Sequence, residues 1–326
     1  MSKKIILFPI IALLAMSCEV EEMETVESVL EAKIFSDEYL GLDEFDDGDN
    51  LDYLEYGEIS DDQLSRFVDD YYPSDSLRFK FKHEVTSHTK TVEFEYFGDT
   101  TIVSTINHNV LGNFITVVFD SMDTSIDTLT KPFDINAQRK IRFVRVDDSG
   151  RHRRDWQLDA ITPVVSFAGV NVGIDSLKIL NAENDSILYS FSSDDMGDIF
   201  ISRDNIPEFT MGDSLKILMT VYNLGPDIEE KGETCLMRIG RGRRHQNPHH
   251  HMRRKLFDDG DTTENGDEIS GDDTFTRLWK MHPPGLLADS RVFKVIYRVI
   301  DYETLYTSEG GYHSSFWGFP YKVNRD

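Results

Sequence analysis

From Leu77 onward the apolar residues of this chain recur at every second position, and that period limits its possible folds more than any other feature. Leu77, Phe79 and Phe81 alternate with polar neighbours, and so do Val92, Phe94 and Tyr96. A period of two sets one face of a strand against a core and the other in water. Gly98-Asp99 turns the chain into a strand over 102–106, and Gly112 precedes another over 114–119. Two more strands are expected over 141–146 and 156–161. Beyond Pro163 strands are expected over 170–180, 186–191, 199–202, 214–222, 234–239, 274–280 and 292–301. The turns between them carry Gly, Asp, Asn and Pro, the pattern of an all-β sandwich.

Ahead of the strands the period is helical. Val26, Val29, Leu30 and Ile34 recur at spacings of three and four, which predicts a short amphipathic helix over 25–37. Ser60 supplies an N-cap oxygen, with Asp61 and Asp62 in the first turn and Gln63 at the third position. This second helix would carry Leu64, Phe67, Val68 and Tyr71 inward and stop before Pro73. Helices followed by a meander predict an α+β layer over 25–163, with a boundary near Val164 and a sandwich over 164–326. Gly98-Asp99-Thr100-Thr101-Ile102-Val103, with the closing Trp156-Gln157-Leu158-Asp159-Ala160-Ile161, resembles the NTF2-like (cone-shaped α+β) superfamily. That resemblance implies a curved antiparallel sheet covered by helices, with a pocket at its open end. Relatives there bind small molecules or perform acid–base chemistry. His83, His88 and His108 are the candidate polar exceptions among inward Phe, Val and Ile, but they read as strand-surface residues rather than catalysts, because the sequence names no partner for them.

The amino terminus has its own logic. Lys3 and Lys4 precede an apolar run, 5–16, and then Ser17-Cys18. This describes a signal peptide, because the run is shorter than the roughly 20 residues of a spanning helix. Leu14-Ala15-Met16-Ser17-Cys18 resembles a bacterial lipobox, with Ala15 where leucine is usual. The resemblance implies removal of 1–17, lipid on Cys18 as the membrane contact, and an acidic tether over 18–24. Glu19, Glu21, Glu22 and Glu24 resemble the surface-export signal of Bacteroidetes lipoproteins, implying the outer face of the outer membrane. Cys18 and Cys235 are the sole cysteines, so lipidation rules out an intrachain disulfide. A formal charge of −25 repels nucleic acid and excludes it as a partner.

The most distinctive motif is Asp258-Asp259-Gly260-Asp261, then Gly266-Asp267-Glu268, then Gly271-Asp272-Asp273. It resembles the "DDG…GD…GDG" turn of immunoglobulin-like β-sandwich modules, with Asp273 where glycine is common. Glycines between carboxylates let a loop fold back while aiming several oxygens inward. Calcium takes six to eight oxygens, so Asp258, Asp259, Asp261, Asp267 and Asp272 are candidate calcium ligands. The same aspartates also suit caps on successive backbone turns without metal. Asp43 to Glu55 fails the EF-hand pattern, because Gly48 at the sixth position puts Phe45 third and Leu54 twelfth. His249, His250 and His251 sit in a basic insert, 238–255, that reads as a hairpin tip rather than a zinc frame. Gly240-Arg241-Gly242 lacks the rest of a phosphate-binding loop. The closing aromatics Tyr312, Phe316, Trp317, Phe319 and Tyr321 suit either a sugar-stacking platform or a last core strand. No nucleophile–base pair stands out. The expectation is a non-catalytic binding or assembly protein with a protein or glycan partner.

Overall fold

The computed structural model describes residues 25–36, 77–120, 125–227, 232–240, 252–263, 265–283 and 289–325. Cys18, the segment 43–56, the helix expected from Ser60, and His249, His250 and His251 lie outside the described residues.

Helix α1 (Val26–Ser36) starts where Thr25 Oγ1 accepts the Ser28 N–H at 3.2 Å, and it buries Val29, Leu30 and Ile34. Next come three long antiparallel strands, β1 (Leu77–Phe97), β2 (Thr101–Asp120) and β3 (Ser125–Arg145). The runs expected as separate short strands are joined into these. Gly98, at φ 65°, does make the expected turn. Gly112 does not turn the chain: it lies inside β2, paired with Val85. A Cβ there would meet the Glu84 carbonyl oxygen at 2.2 Å and the Phe133 ring at 2.7 Å. The β1 register slips between Val85 and Ser87, directly opposite. A bulge facing a glycine bends the ladder while the hydrogen bonds continue.

The NTF2-like α+β first domain is therefore overturned. Between 77 and 163 the described chain is strand, apart from turns and the four-residue helix α2 (His152–Asp155). Among the described residues, α1 alone lies on the sheet as an expected helix. The Gly98 turn and the Trp156 strand are present, but they belong to a meander whose first three strands run 20–21 residues, where runs of about five or six were expected. Period-two patterning reports that a segment is extended; it does not report where strands join.

After α2 come β4 (Trp156–Ile161) and β5 (Val164–Ala168). Both pair with β3, β4 at Ile141–Arg145 and β5 at Asn136–Gln138. Between them Thr162 N–H donates to Lys140 O (2.8 Å), and Thr162 Oγ1 accepts the Lys140 N–H (2.8 Å). Pro163, which has no N–H, marks the kink. The ladder to β3 thus runs on both sides of the position expected as a boundary.

The rest of the chain is β6 (Val172–Asn181), β7 (Ile187–Ser192), β8 (Ile201–Ser202), β9 (Glu208–Thr210), β10 (Ser214–Asn223) and β11 (Glu233–Gly240). There follow β12 (Met252–Leu256), β13 (Thr274–Lys280), β14 (Ser290–Asp301), helix α3 (Tyr302–Tyr306) and β15 (Ser314–Asn324). One sheet runs β1-β2-β3-β5-β15-β14-β11-β12, and the other β13-β10-β6-β7. The sheets share a core. Leu177, Ile179, Leu215, Ile217, Met219 and Trp279 come from the second sheet, and Cys235, Met237, Val295, Tyr297, Trp317 and Phe319 from the first. Each such large apolar side chain contributes about 2–3 kcal/mol on burial.

Directly paired residues of adjacent strands point to the same side of a sheet. The row His108–Ala137–Ser166–Phe316–Arg298–Leu236 therefore shares one face, and all six are buried. At one end of the meander this face is covered by α1, through Leu30 and Ile34 near Ile102, Ile106, Ile141 and Phe143. At the other end Phe114 and Phe133 pack on Tyr312, with ring centroids 5.0 and 5.5 Å away. The far halves of β1–β3 thus curl onto the segment joining α3 to β15.

Candidate functional site

Asp301 closes β14 and caps α3, its Oδ1 accepting the Glu303 N–H at 2.9 Å. It is fully buried. Its Oδ2 accepts from Asn171 Nδ2 at 3.0 Å, and the same amide lies 3.4 Å from Glu303 Oε2. His313 joins them. Among the described residues, Asp301, Glu303 and His313 form the group whose ligand-type atoms all lie within 4.8 Å of one another. The backbone approaches this cluster closely: a Cβ on Gly225 would lie 2.6 Å from Asp301 Oδ2, and one on Gly310 would lie 2.4 Å from the Glu303 carboxyl carbon.

Such a spacing suits a divalent ion, but the hydrogen bonds point elsewhere. His313 Nδ1 accepts the Val170 N–H at 3.2 Å, so the imidazole proton sits on Nε2, which then donates and does not ligate. Asn171 already bridges both carboxylates. The buried Lys131 ammonium donates to Glu303 O (2.6 Å) and lies 3.4 Å from both Gly311 O and Thr307 Oγ1. Burial pulls its pKa down, and the charges of Glu303 and Asp301 push it back up. The cluster therefore ties β3, the 169–171 turn, α3 and the start of β15 into one knot.

Directly opposite Asp301 in the ladder stands Glu233, 7 % exposed, with Oε2 accepting from Asn223 Nδ2 at 2.9 Å. Burial raises its carboxyl to about 7; the Asn223 bond opposes this, and the charges of Asp273, Asp258 and Asp301 add to it. The chain matches no protein-family model and no curated protein.

The five candidate calcium ligands are all engaged in backbone turns. Asp258 accepts the Asp273 N–H at 3.1 Å and also that of Gly271. Asp267 Oδ2 accepts from Asp259 N (2.7 Å) and Gly260 N (2.6 Å). Asp259 caps Asp261 N (3.0 Å), Asp261 caps Thr263 N (2.8 Å), and Asp272 caps Thr274 N (3.0 Å). No three of these carboxylates converge within 4.8 Å. The geometry is that of a loop held by side-chain caps, with Gly260, Gly266 and Gly271 at φ 73–78° where it doubles back.

The histidines divide. His83 and His108 are buried on the inner face, where a strand-surface reading had placed them outside. His83 Nε2 lies 2.8 Å from the Tyr312 hydroxyl, and His108 Nδ1 lies 2.9 Å from His88 Nε2. The aromatic tail is strand β15 and its approach: Tyr312, Phe316, Trp317, Phe319 and Tyr321 are buried, so none offers a face for sugar stacking. Sequence reasoning did not find Asn171, Glu233, Asp301, Glu303 and His313 as a group. Asp301-Tyr302-Glu303 does carry the local signal of a capped helix start, but Asn171 is 130 residues away.

Proposed function

We propose that this chain is a lipid-anchored binding or assembly protein of the cell surface, without catalytic activity, held to the outer membrane through Cys18. The leader, the lipobox-like segment and the acidic tether support the anchor. The observation that carries the binding reading is the solvent face of β2 and β3. There Asn109 Nδ2 donates to Asp134 Oδ1 (2.5 Å) and Asn136 Oδ1 (3.1 Å), and Gln138 Nε2 donates to Asn107 Oδ1 (2.7 Å). Asn136 Nδ2 closes the network on Asp134 at 3.3 Å. Amides held by one another have already lost rotamer freedom, so they present donors and acceptors to a partner at reduced entropic cost. A protein or a glycan suits such a surface, and the charge of −25 disfavours nucleic acid.

The test is made in cells. Cys18→Ser should abolish fatty-acid labelling and release the protein from the membrane fraction, and protease added to intact cells should degrade the wild type. A photo-crosslinking residue at exposed Asn136 should join the protein to a partner, while one at buried Phe143 should not. Persisting lipid in Cys18→Ser would end the anchor reading, and equal crosslinking at both positions would end the binding-face reading.

A further inference from the structure

We infer that Arg298 holds a small monovalent anion, of carboxylate or halide size, on the face enclosed between β1–β3 and β5–β15–β14. Arg298 is 7 % exposed, and among the described residues its Nε and Nη1 have no hydrogen-bond partner. A guanidinium does not shed its proton in a protein, so this is a buried charge. Its neighbours in the ladder are Phe316 and Leu236, both apolar. The Phe316 ring lies 5.1 Å from the guanidinium carbon, which answers the charge in part but leaves two nitrogens unsatisfied.

Among the described residues, the one ionisable group acting on Arg298 is Tyr312. Burial pushes that hydroxyl up, and the nearby Arg298 charge and a hydrogen bond with Ser314 only partly offset this, so Tyr312 remains a phenol. No protein anion therefore neutralises Arg298 among the described residues. Burying a cation without a counter-charge is among the costliest things a fold can do, and burying it with a partner removes much of that cost. Tyr312 is also placed to help. Its oxygen lies 2.8 Å from His83 Nε2. When that nitrogen carries the proton and donates, the Tyr312 O–H is turned outward to donate to the anion. Arg298 then supplies the charge and Tyr312 a neutral donor, while Phe114, Phe133 and Phe316 exclude water. This site lies on the opposite side of the sheet from the amide face, so it stands or falls independently of the surface partner.

The test uses purified full-length protein in potassium gluconate, whose bulky polyhydroxy anion serves as the reference, titrated with acetate or with chloride at constant ionic strength. Thermal melting and the relaxation of carbon-13 acetate are followed together. Wild type should gain on the order of 5 °C at a hundredfold excess over the dissociation constant. Arg298→Met should melt above wild type in gluconate and respond to neither salt. Tyr312→Phe should keep the response with a roughly tenfold weaker dissociation constant, for one lost hydrogen bond. A larger response to acetate assigns a carboxylate ligand, and a larger response to chloride assigns a halide. Equal melting of wild type in all three salts would overturn the proposal, and so would an equal response in Arg298→Met. Should Arg298→Met not fold, unchanged acetate affinity in Tyr312→Phe would overturn it instead.

Discussion

Replacing Glu233 by Gln should make the protein more stable in mild alkali and leave it unchanged in acid. The carboxyl is raised from 4.5 to about 7 by burial first, with Asp273, Asp258 and Asp301 adding to the rise. A raised acid binds its proton more tightly in the folded state than in the unfolded one. Its stabilising contribution is therefore complete below the unfolded value of 4.5 and is lost as pH rises through the folded value of about 7. The shift from 4.5 to about 7, at roughly 1.4 kcal/mol per unit, makes the full loss on the order of 3 kcal/mol. Gln keeps the shape, stays neutral at every pH, and retains an oxygen for the 2.9 Å bond from Asn223 Nδ2. Urea unfolding of wild type and Glu233→Gln at pH 4.5 and pH 8.5 gives four free energies. Other carboxylates cancel in the difference between the proteins at each pH. The variant should gain about 3 kcal/mol over wild type at pH 8.5 and close to nothing at pH 4.5. A difference that does not change between the two pH values would falsify the assignment of a buried, protonated Glu233.

Two other expectations concern the acidic turn and the junction at Pro163. Asp267→Ala removes an acceptor shared by two N–H groups, those of Asp259 and Gly260, and should cost about 1–3 kcal/mol in chelator. Millimolar calcium should then move the wild-type melting temperature by less than about 1 °C, because capping already occupies the carboxylates; a rise of several degrees, absent in Asp267→Ala, would place an ion in the turn. Fragments cut between Pro163 and Val164 sever the β3–β5 ladder and divide a cluster in which Phe114 and Phe133 pack with Tyr312 and Phe316. The intact chain should melt in one calorimetric transition and the 164–326 fragment at a lower temperature; two resolved transitions in the intact chain would show that the halves are independent units.

Much of the strand content was readable because alternation is local. The strands over 156–161 and 274–280 stand where period two put them, and the turn at Gly98 has the positive φ that its sequence demanded. The caps of the acidic turn were readable for the same reason. An aspartate oxygen reaches an N–H two residues on, as Asp259 does to Asp261, whatever the rest of the chain is doing. Whether the run before Gly112 ends or continues was not readable. A glycine permits both a turn and a crowded crossing, and the Glu84 carbonyl and Phe133 ring that decide it are 28 and 21 residues away.

The chemistry of the interior belongs to the tertiary structure for the same reason. His83 was an alternating residue of an expected strand, and only the curl of β1–β3 set it against Tyr312, 229 residues distant. Arg298 sits in an otherwise apolar run, Val295-Ile296-Tyr297-Arg298-Val299-Ile300, that announces a buried strand without saying which face will be covered. The first sheet continues through β5 into β15, so both faces of β14 are covered and the arginine is enclosed with them. The sequence by itself determined that this chain is extended, turn-rich and acidic, because those properties depend on neighbours a few bonds away. Which strands share a sheet, and therefore which charges are left in the dark, depended on contacts between residues more than a hundred positions apart, and only the folded chain could choose among them.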